Sequence, residues 1–271
     1  MQNWDMRVWT LLVVFLAVLL SGCVTVPETG RRQVMLLSPN QEAAMGLSAF
    51  AEIKKEEKIS QDPAANARVQ RVGKRIAQSV GRELPNAEWE FVVFESNELN
   101  AFALPGGKVG VYTGILKIAE TDAELAAVMG HEVAHVSSRH GAERTSQQLL
   151  VLGGALLTEV GMEAKKVDEE RRNLIRAAYG LGTSVGVMLP YSRLHESEAD
   201  AIGLRFAAGA GYDPRAAVSF WRKMSAAGKG GMKLPEFLST HPADETRIRN
   251  LEQLIPRYLP LYEQSRASFQ D

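Results

Sequence analysis

The sequence predicts an α+β fold, mainly helical, with one small β-sheet. Apolar residues recur at helical spacing through most of the chain, and three short segments between residues 89 and 112 are rich in aromatic and β-branched residues. No internal repeat or low-complexity linker interrupts residues 38–271, so these are expected to form one domain. With 271 residues, 45% of them hydrophobic, the chain can bury a sizeable core.

Ser38-Pro39-Asn40-Gln41 offers an N-cap, a proline at the first helical position and a glutamine that can reach back to the cap. A helix to about Lys55 is expected. A second runs from Pro63 to Val80, with Val69, Val72, Ile76 and Val80 on one face. Trp89 to Phe94 reads as a strand. Phe102 to Leu104, the turn Pro105-Gly106-Gly107 and Lys108 to Tyr112 read as strand, turn and strand. Thr121 and Glu124 form a capping box ahead of a helix to His140. Further helices are expected at about 142–160, 169–187, 192–209, 213–226 and 243–257. Leu149 to Val160 and Leu174 to Leu189 are apolar and contain glycine. They read as buried core helices, with a mobile lid or membrane-contacting flap as the alternative.

The N-terminus has its own pattern. Arg7 precedes an apolar run from Val8 to Leu20, which closes on Ser21-Gly22-Cys23. That is a signal-peptide layout, and the small residues before Cys23 resemble the lipobox of bacterial lipoproteins. The competing reading, a membrane span, needs roughly 20 apolar residues and the run offers about 13. Residues 1–22 are therefore read as a lipoprotein signal peptide and residues 23–37 as a polar, lipid-anchored tether. Cys23 is the single cysteine, so no internal disulfide can form. Val24 follows it where Asp would favour the inner membrane, which points to the outer membrane, facing the periplasm. The formal net charge of -1, with both signs interspersed, lacks the basic stripe that a nucleic acid would require.

The chemistry lies in His131-Glu132-Val133-Ala134-His135. The i,i+4 spacing puts both imidazoles on one helix face, able to share a metal. The helix is otherwise apolar, so burying these groups without a partner is costly, and a metal is the natural partner. Zinc needs a third protein ligand and an open position for water. His140, His195, Glu196, Glu198, Asp200 and His241 are the candidates. Glu196 and Asp200 share a helix face, so one could bind metal while the other orients a ligating histidine. By spacing alone they suit equally well a solvated face paired with Arg193 and Arg205.

His131-Glu132-Val133-Ala134-His135 followed by Glu196-Ser197-Glu198-Ala199-Asp200 resembles the HExxH and ExxAD signature of the gluzincin metallopeptidases. That family includes the CAAX prenyl protease, HtpX and BepA. Asn100 to Gly107 and Ser239-Thr240-His241-Pro242 with Arg247 match further elements, so the resemblance covers roughly residues 38–256. It is similar above all to the short periplasmic lipoprotein type such as LoiP (YggG), since the membrane spans and tetratricopeptide repeats of other members are missing here.

The resemblance implies a zincin-like domain with the sheet beside the metal-binding helix, one zinc ion per chain, Glu196 as third ligand and Asp200 as its support. Glu132 would be the catalytic base, taking a proton from a water that zinc acidifies. A polypeptide substrate is expected to add as a strand beside Val109 and Val111. His241 or Arg247 would stabilise the oxyanion, or His241 would swing onto the metal as a gate. The expected function is hydrolysis of unfolded or misassembled envelope proteins, in reach of the outer-membrane protein assembly machinery. The alternative is a chaperone-like binding protein with a structural or gated zinc site.

Overall fold

The computed structural model describes residues 23–26, 28–184, 188–229, 236–242 and 245–269. The expected signal peptide, residues 1–22, and the glycines Gly230 and Gly231 lie outside the described residues, as does the side chain of Cys23. In chain order the elements are β1 (Cys23–Thr25), β2 (Arg32–Val34), α1 (Pro39–Glu56), α2 (Pro63–Val80), β3 (Glu90–Phe94), β4 (Ala101–Leu104), β5 (Lys108–Tyr112), α3 (Thr113–Leu116) and α4 (Asp122–Ser137). They continue with α5 (His140–Ala164), α6 (Glu169–Thr183), α7 (Leu189–Gly209), α8 (Ala216–Lys229), α9 (Glu236–Thr240) and α10 (Glu245–Arg266). This is the mainly helical α+β architecture expected. The chain divides into two compact units, residues 1–38 with 139–193, and residues 39–138 with 194–271.

In the larger unit the sheet order is β3-β5-β4, with β3 parallel and β4 antiparallel to β5. Gly106 and Gly107, at φ +88° and +81°, make the turn between β4 and β5 in a region that other residues rarely enter. Phe50 of α1, Phe94 and Tyr112 form an aromatic cluster with Phe102 against the sheet. The capping box forms: the Thr121 hydroxyl accepts from the Glu124 N–H at 3.2 Å and the Glu124 carboxylate accepts from the Thr121 N–H at 3.1 Å. Helix α4 is buried from Glu124 to Ala134, packed against α2, α8 and β4. Its burial explains the apolar sequence around the histidines.

Three boundaries differ from expectation. The helix expected to reach His140 stops at Ser137, because Arg139 adopts a left-handed conformation at φ 58°. The last helix continues to Arg266 through Pro256 and Pro260. Buried Leu251, Ile255 and Tyr258 keep it packed where proline removes backbone bonds, and Arg75 holds its far end by stacking on Phe269 and donating to the Phe269 carbonyl at 2.5 Å. Residues 23–37, read as a tether, instead include the antiparallel β1–β2 hairpin with Cys23 opposite Val34.

That hairpin belongs to the smaller unit and is ordered by burial and charge. Val26 and Met35 are buried, and the Arg31 guanidinium makes two 2.7 Å bonds to the Glu143 carboxylate of α5. The Leu36 N–H donates to the Ser146 hydroxyl at 2.9 Å. The reading of residues 149–160 and 174–189 as core helices is corrected for 149–160 and 174–183: Leu149, Leu152, Leu156 and Leu174 are exposed, and α6 buries no residue, while residues 185–187 lie outside the described residues. Apolar composition without helical context could not tell an inward face from an outward one.

Candidate metal centre

Helix α4 presents His131, Glu132 and His135, and α7 presents Glu196 with Asp200 one turn later. The two helices approach backbone to backbone. A Cβ on Gly130 would sit 2.8 Å from the Gly203 carbonyl oxygen, and one on Gly203 would sit 2.8 Å from the His131 nitrogen. This contact carries Glu196 to the histidines. His131 Nε2 lies 3.1 Å from His135 Nε2 and 3.3 Å from a Glu196 oxygen, and His135 Nε2 lies 3.3 Å from the other. His241 joins them, its Nδ1 2.9 Å from Glu196 and 3.2 Å from His131 Nε2. One ligand atom from each of His131, His135, Glu196 and His241 lies within 4.8 Å of all the others.

A second layer holds this cluster. The His131 Nδ1 side faces Asp200 at 3.1 Å. Arg247 donates to both Asp200 oxygens, at 2.7 and 2.8 Å, lies 3.1 Å from Glu196, and donates to the Pro242 carbonyl at 3.1 Å. Its guanidinium stacks on the Trp221 ring at 3.6 Å. His195 and Glu198 are buried on α7 outside the cluster, and His140 opens α5.

Residues 63–255 match the family described as Peptidase family M48. The chain belongs to peptidase family M48. It is 36% identical over 234 residues to mitochondrial metalloendopeptidase OMA1 of Schizosaccharomyces pombe, covering 85% of this chain and 66% of that protein. Against the mitochondrial metalloendopeptidase OMA1 of Bos taurus it is 33% identical over 250 residues, 88% of this chain and 47% of that one. Against the beta-barrel assembly-enhancing protease of Escherichia coli (strain K12) it is 27% identical over 248 residues, 90% of this chain and 50% of that one. The chain spans about half to two thirds of the length of these relatives.

M48 peptidases use zinc, and the donor set fits that metal. Zn–N bonds of about 2.0–2.1 Å at tetrahedral angles place two ligand nitrogens about 3.3 Å apart, close to the spacings seen here. Facing imidazole nitrogens at such distances, with a carboxylate against both, make a pocket of lone pairs for a cation. Without the ion the buried groups are shifted in different directions. Burial drives His135 well below the usual histidine range. For His131 burial acts the same way, but hydrogen bonds to Asp200 and Glu196 outweigh it and raise the group to about 9. Glu196 resists its burial and is pushed far down by the three histidines. Asp200 likewise is lowered, against its burial, by Arg247 and His131.

Glu132 differs from all of these. It is 5% exposed, burial raises its pKa, and its Oε1 has no hydrogen-bond partner, with His241 Nε2 3.6 Å away.

The strand order corrects the expected substrate strand, and the contacts of Arg247 bear on its expected role. Val109 and Val111 lie on the central strand, whose two edges are taken by β3 and β4, so no peptide can add along them. The edge beside α4 belongs to β4, which pairs within the sheet with β5 alone. Arg247 is bound to Asp200, lies against Glu196 and is covered by Trp221. Sequence reading also passed over Gly130, Gly203 and Trp221. A signal for the second existed, since Gly203 falls on the face of Glu196 and Asp200, at i+7 and i+3. Gly203→Ala is expected to destabilise the protein by about 1–3 kcal/mol through overpacking and to weaken zinc binding. Urea unfolding and a zinc titration check both.

Proposed function

We propose that this M48 domain is a zinc-dependent endopeptidase of the bacterial cell envelope that hydrolyses unfolded or misassembled proteins. In this reading Cys23 carries lipid, and the protein sits on the outer membrane facing the periplasm. The observation that carries the hydrolytic part is Glu132. A buried carboxylate oxygen without a hydrogen bond is costly, and a zinc site of structural purpose has no use for it.

His131, His135 and Glu196 would hold the metal. Zinc, when bound, supplies Lewis acidity toward the scissile carbonyl and toward water. Glu132 accepts a proton from the attacking water and delivers it to the leaving amine, a task suited to a carboxylate whose pKa burial has raised. Asp200 keeps the His131 proton on Nδ1, so that Nε2 offers its lone pair, and Arg247 fixes Asp200 and Glu196. An extended peptide adds along β4, where main-chain bonds give affinity with little sequence preference.

His241 supports a gate. Its Nδ1 stands among the ligand atoms, where it would compete with water for the open position. His241→Ala is expected to cleave casein several-fold faster than the native chain, measured as initial rates at saturating zinc; a loss of activity instead would assign His241 to the transition state. This crowding also favours the second reading, a chaperone-like binder with rare turnover. Casein hydrolysis by the full chain, abolished by a chelator and restored by zinc, tests the peptidase assignment. The mass of the Cys23 peptide tests the lipid. An assembly role like that named for the Escherichia coli relative would follow from recovery of outer-membrane proteins as substrates.

A further inference from the structure

Helix α6 is amphipathic and nearly uncovered. Leu174 and Leu181 are 66% and 68% exposed, and Ile175 and Ala178 beside them are exposed too. The opposite side of the same helix makes its contacts with α5: the Tyr179 hydroxyl donates to the Val151 carbonyl at 2.7 Å, and Arg176 bonds both oxygens of Glu159. A Cβ on Gly154 would lie 2.3 Å from the Tyr179 hydroxyl, so this docking is close and leaves α6 no freedom to turn its leucines inward. Helix α5 carries a second exposed row, Leu149, Leu152, Leu156 and Val160, on its side away from α6, and contiguous apolar surface of this kind marks a binding face, so the labels below are placed one on each row.

Chain connectivity says what that face meets. The smaller compact unit contains both α6 and the β1–β2 hairpin. The apolar run Val8 to Leu20 ends three residues before Cys23, the first residue of β1. Three residues span at most about 10 Å, so a membrane holding that run, or a lipid on Cys23, keeps β1 within that distance of the bilayer. This unit is then held beside the bilayer surface, where its exposed apolar faces are within reach of lipid. Among the described residues no helix is long and apolar enough to cross a membrane, and Lys165, Lys166, Glu169, Glu170 and Arg171 at the tip of the α5–α6 hairpin are exposed and charged, which opposes insertion tip first.

We propose that α6 seats its Leu174–Leu181 face in the interfacial layer of the bilayer that holds the N-terminus, lying in the membrane plane with α5 above it. The inference rests on the membrane attachment argued under the proposed function, and the two are separable by experiment.

The protein purified with its lipid on Cys23, which blocks the single native thiol, is labelled with a fluorophore at Leu181→Cys or, on the far side of the hairpin, at Leu156→Cys. Each is mixed with phosphatidylethanolamine and phosphatidylglycerol vesicles containing a lipid brominated near the top of its acyl chain. The expected result is co-sedimentation of both, with the Leu181 label losing most of its fluorescence, the Leu156 label little, and Leu174→Glu restoring the Leu181 signal. Sedimentation without quenching at either label overturns the seating and leaves the attachment standing. A chain that does not sediment overturns the attachment and the seating with it. Equal quenching of both labels means that the hairpin is immersed, and shielding that follows protein concentration without lipid means that a second copy covers the face; either overturns the proposal.

Discussion

Glu132→Gln is expected to keep its zinc and lose hydrolysis of an unfolded substrate by about 10²–10⁴-fold, the usual contribution of a positioned acid–base group. Glutamine has the same shape, and Glu132 is not among the four groups whose ligand atoms converge, so metal content should not change. The change removes a buried carboxylate with an unbonded oxygen, so stability should hold or rise slightly. Casein cleavage beside zinc quantified by mass spectrometry gives both readings from one preparation. Zinc retained with full cleavage in the variant would remove Glu132 from the chemistry. Zinc retained with cleavage in neither protein would point to the His241 gate or to the binding-protein reading, and the casein-binding affinity of the variant separates those two.

Arg247→Met should cost about 3–5 kcal/mol of stability, because it leaves the buried Asp200 carboxylate without its charge partner. The same change removes the stack on Trp221 and one contact to Glu196, so zinc affinity should fall about 10–100-fold, as it does when groups behind metal ligands are lost. Asp200→Asn combined with Arg247→Met should cost less than Arg247→Met alone, since the charge leaves with its partner and the asparagine oxygen still accepts from His131 Nδ1. Urea unfolding of the single and double variants, with a zinc titration of each, tests this. Were Arg247 an oxyanion donor instead, kcat would drop while zinc affinity and stability stayed near native values. A loss below about 1 kcal/mol, the value of an exposed pair, would show that Asp200 finds another partner.

Local signals in the sequence were reliable where a single element settles the outcome. The spacing of His131 and His135 holds on any helix, Thr121 and Glu124 cap the helix they precede, and Gly106 and Gly107 supply positive φ in the turn between β4 and β5. Ser38 and Pro39 likewise marked the start of α1. Each depends on groups a few residues apart, so short-range geometry decides it.

The arrangement of distant groups was not legible in this way. Glu196, Glu198 and His195 are near neighbours in sequence, and only the Gly130–Gly203 contact decides which of them faces the histidines. His241 reaches the cluster across a segment with no periodic signal, and Val111 looked available to a substrate until β3 and β4 took both its edges. The leucines of α5 and α6 read as core because composition records how apolar a helix is and not which way it faces. By itself, then, the sequence determined the helical character and the placing of His131, Glu132 and His135, set by covalent spacing within one helix, while the proposed roles of Glu132 and Glu196 came from the family resemblance. The tertiary structure alone brought His241 in as a fourth member of the cluster and decided the strand edge left open and the direction of the apolar faces, because these depend on close packing between segments far apart in the chain.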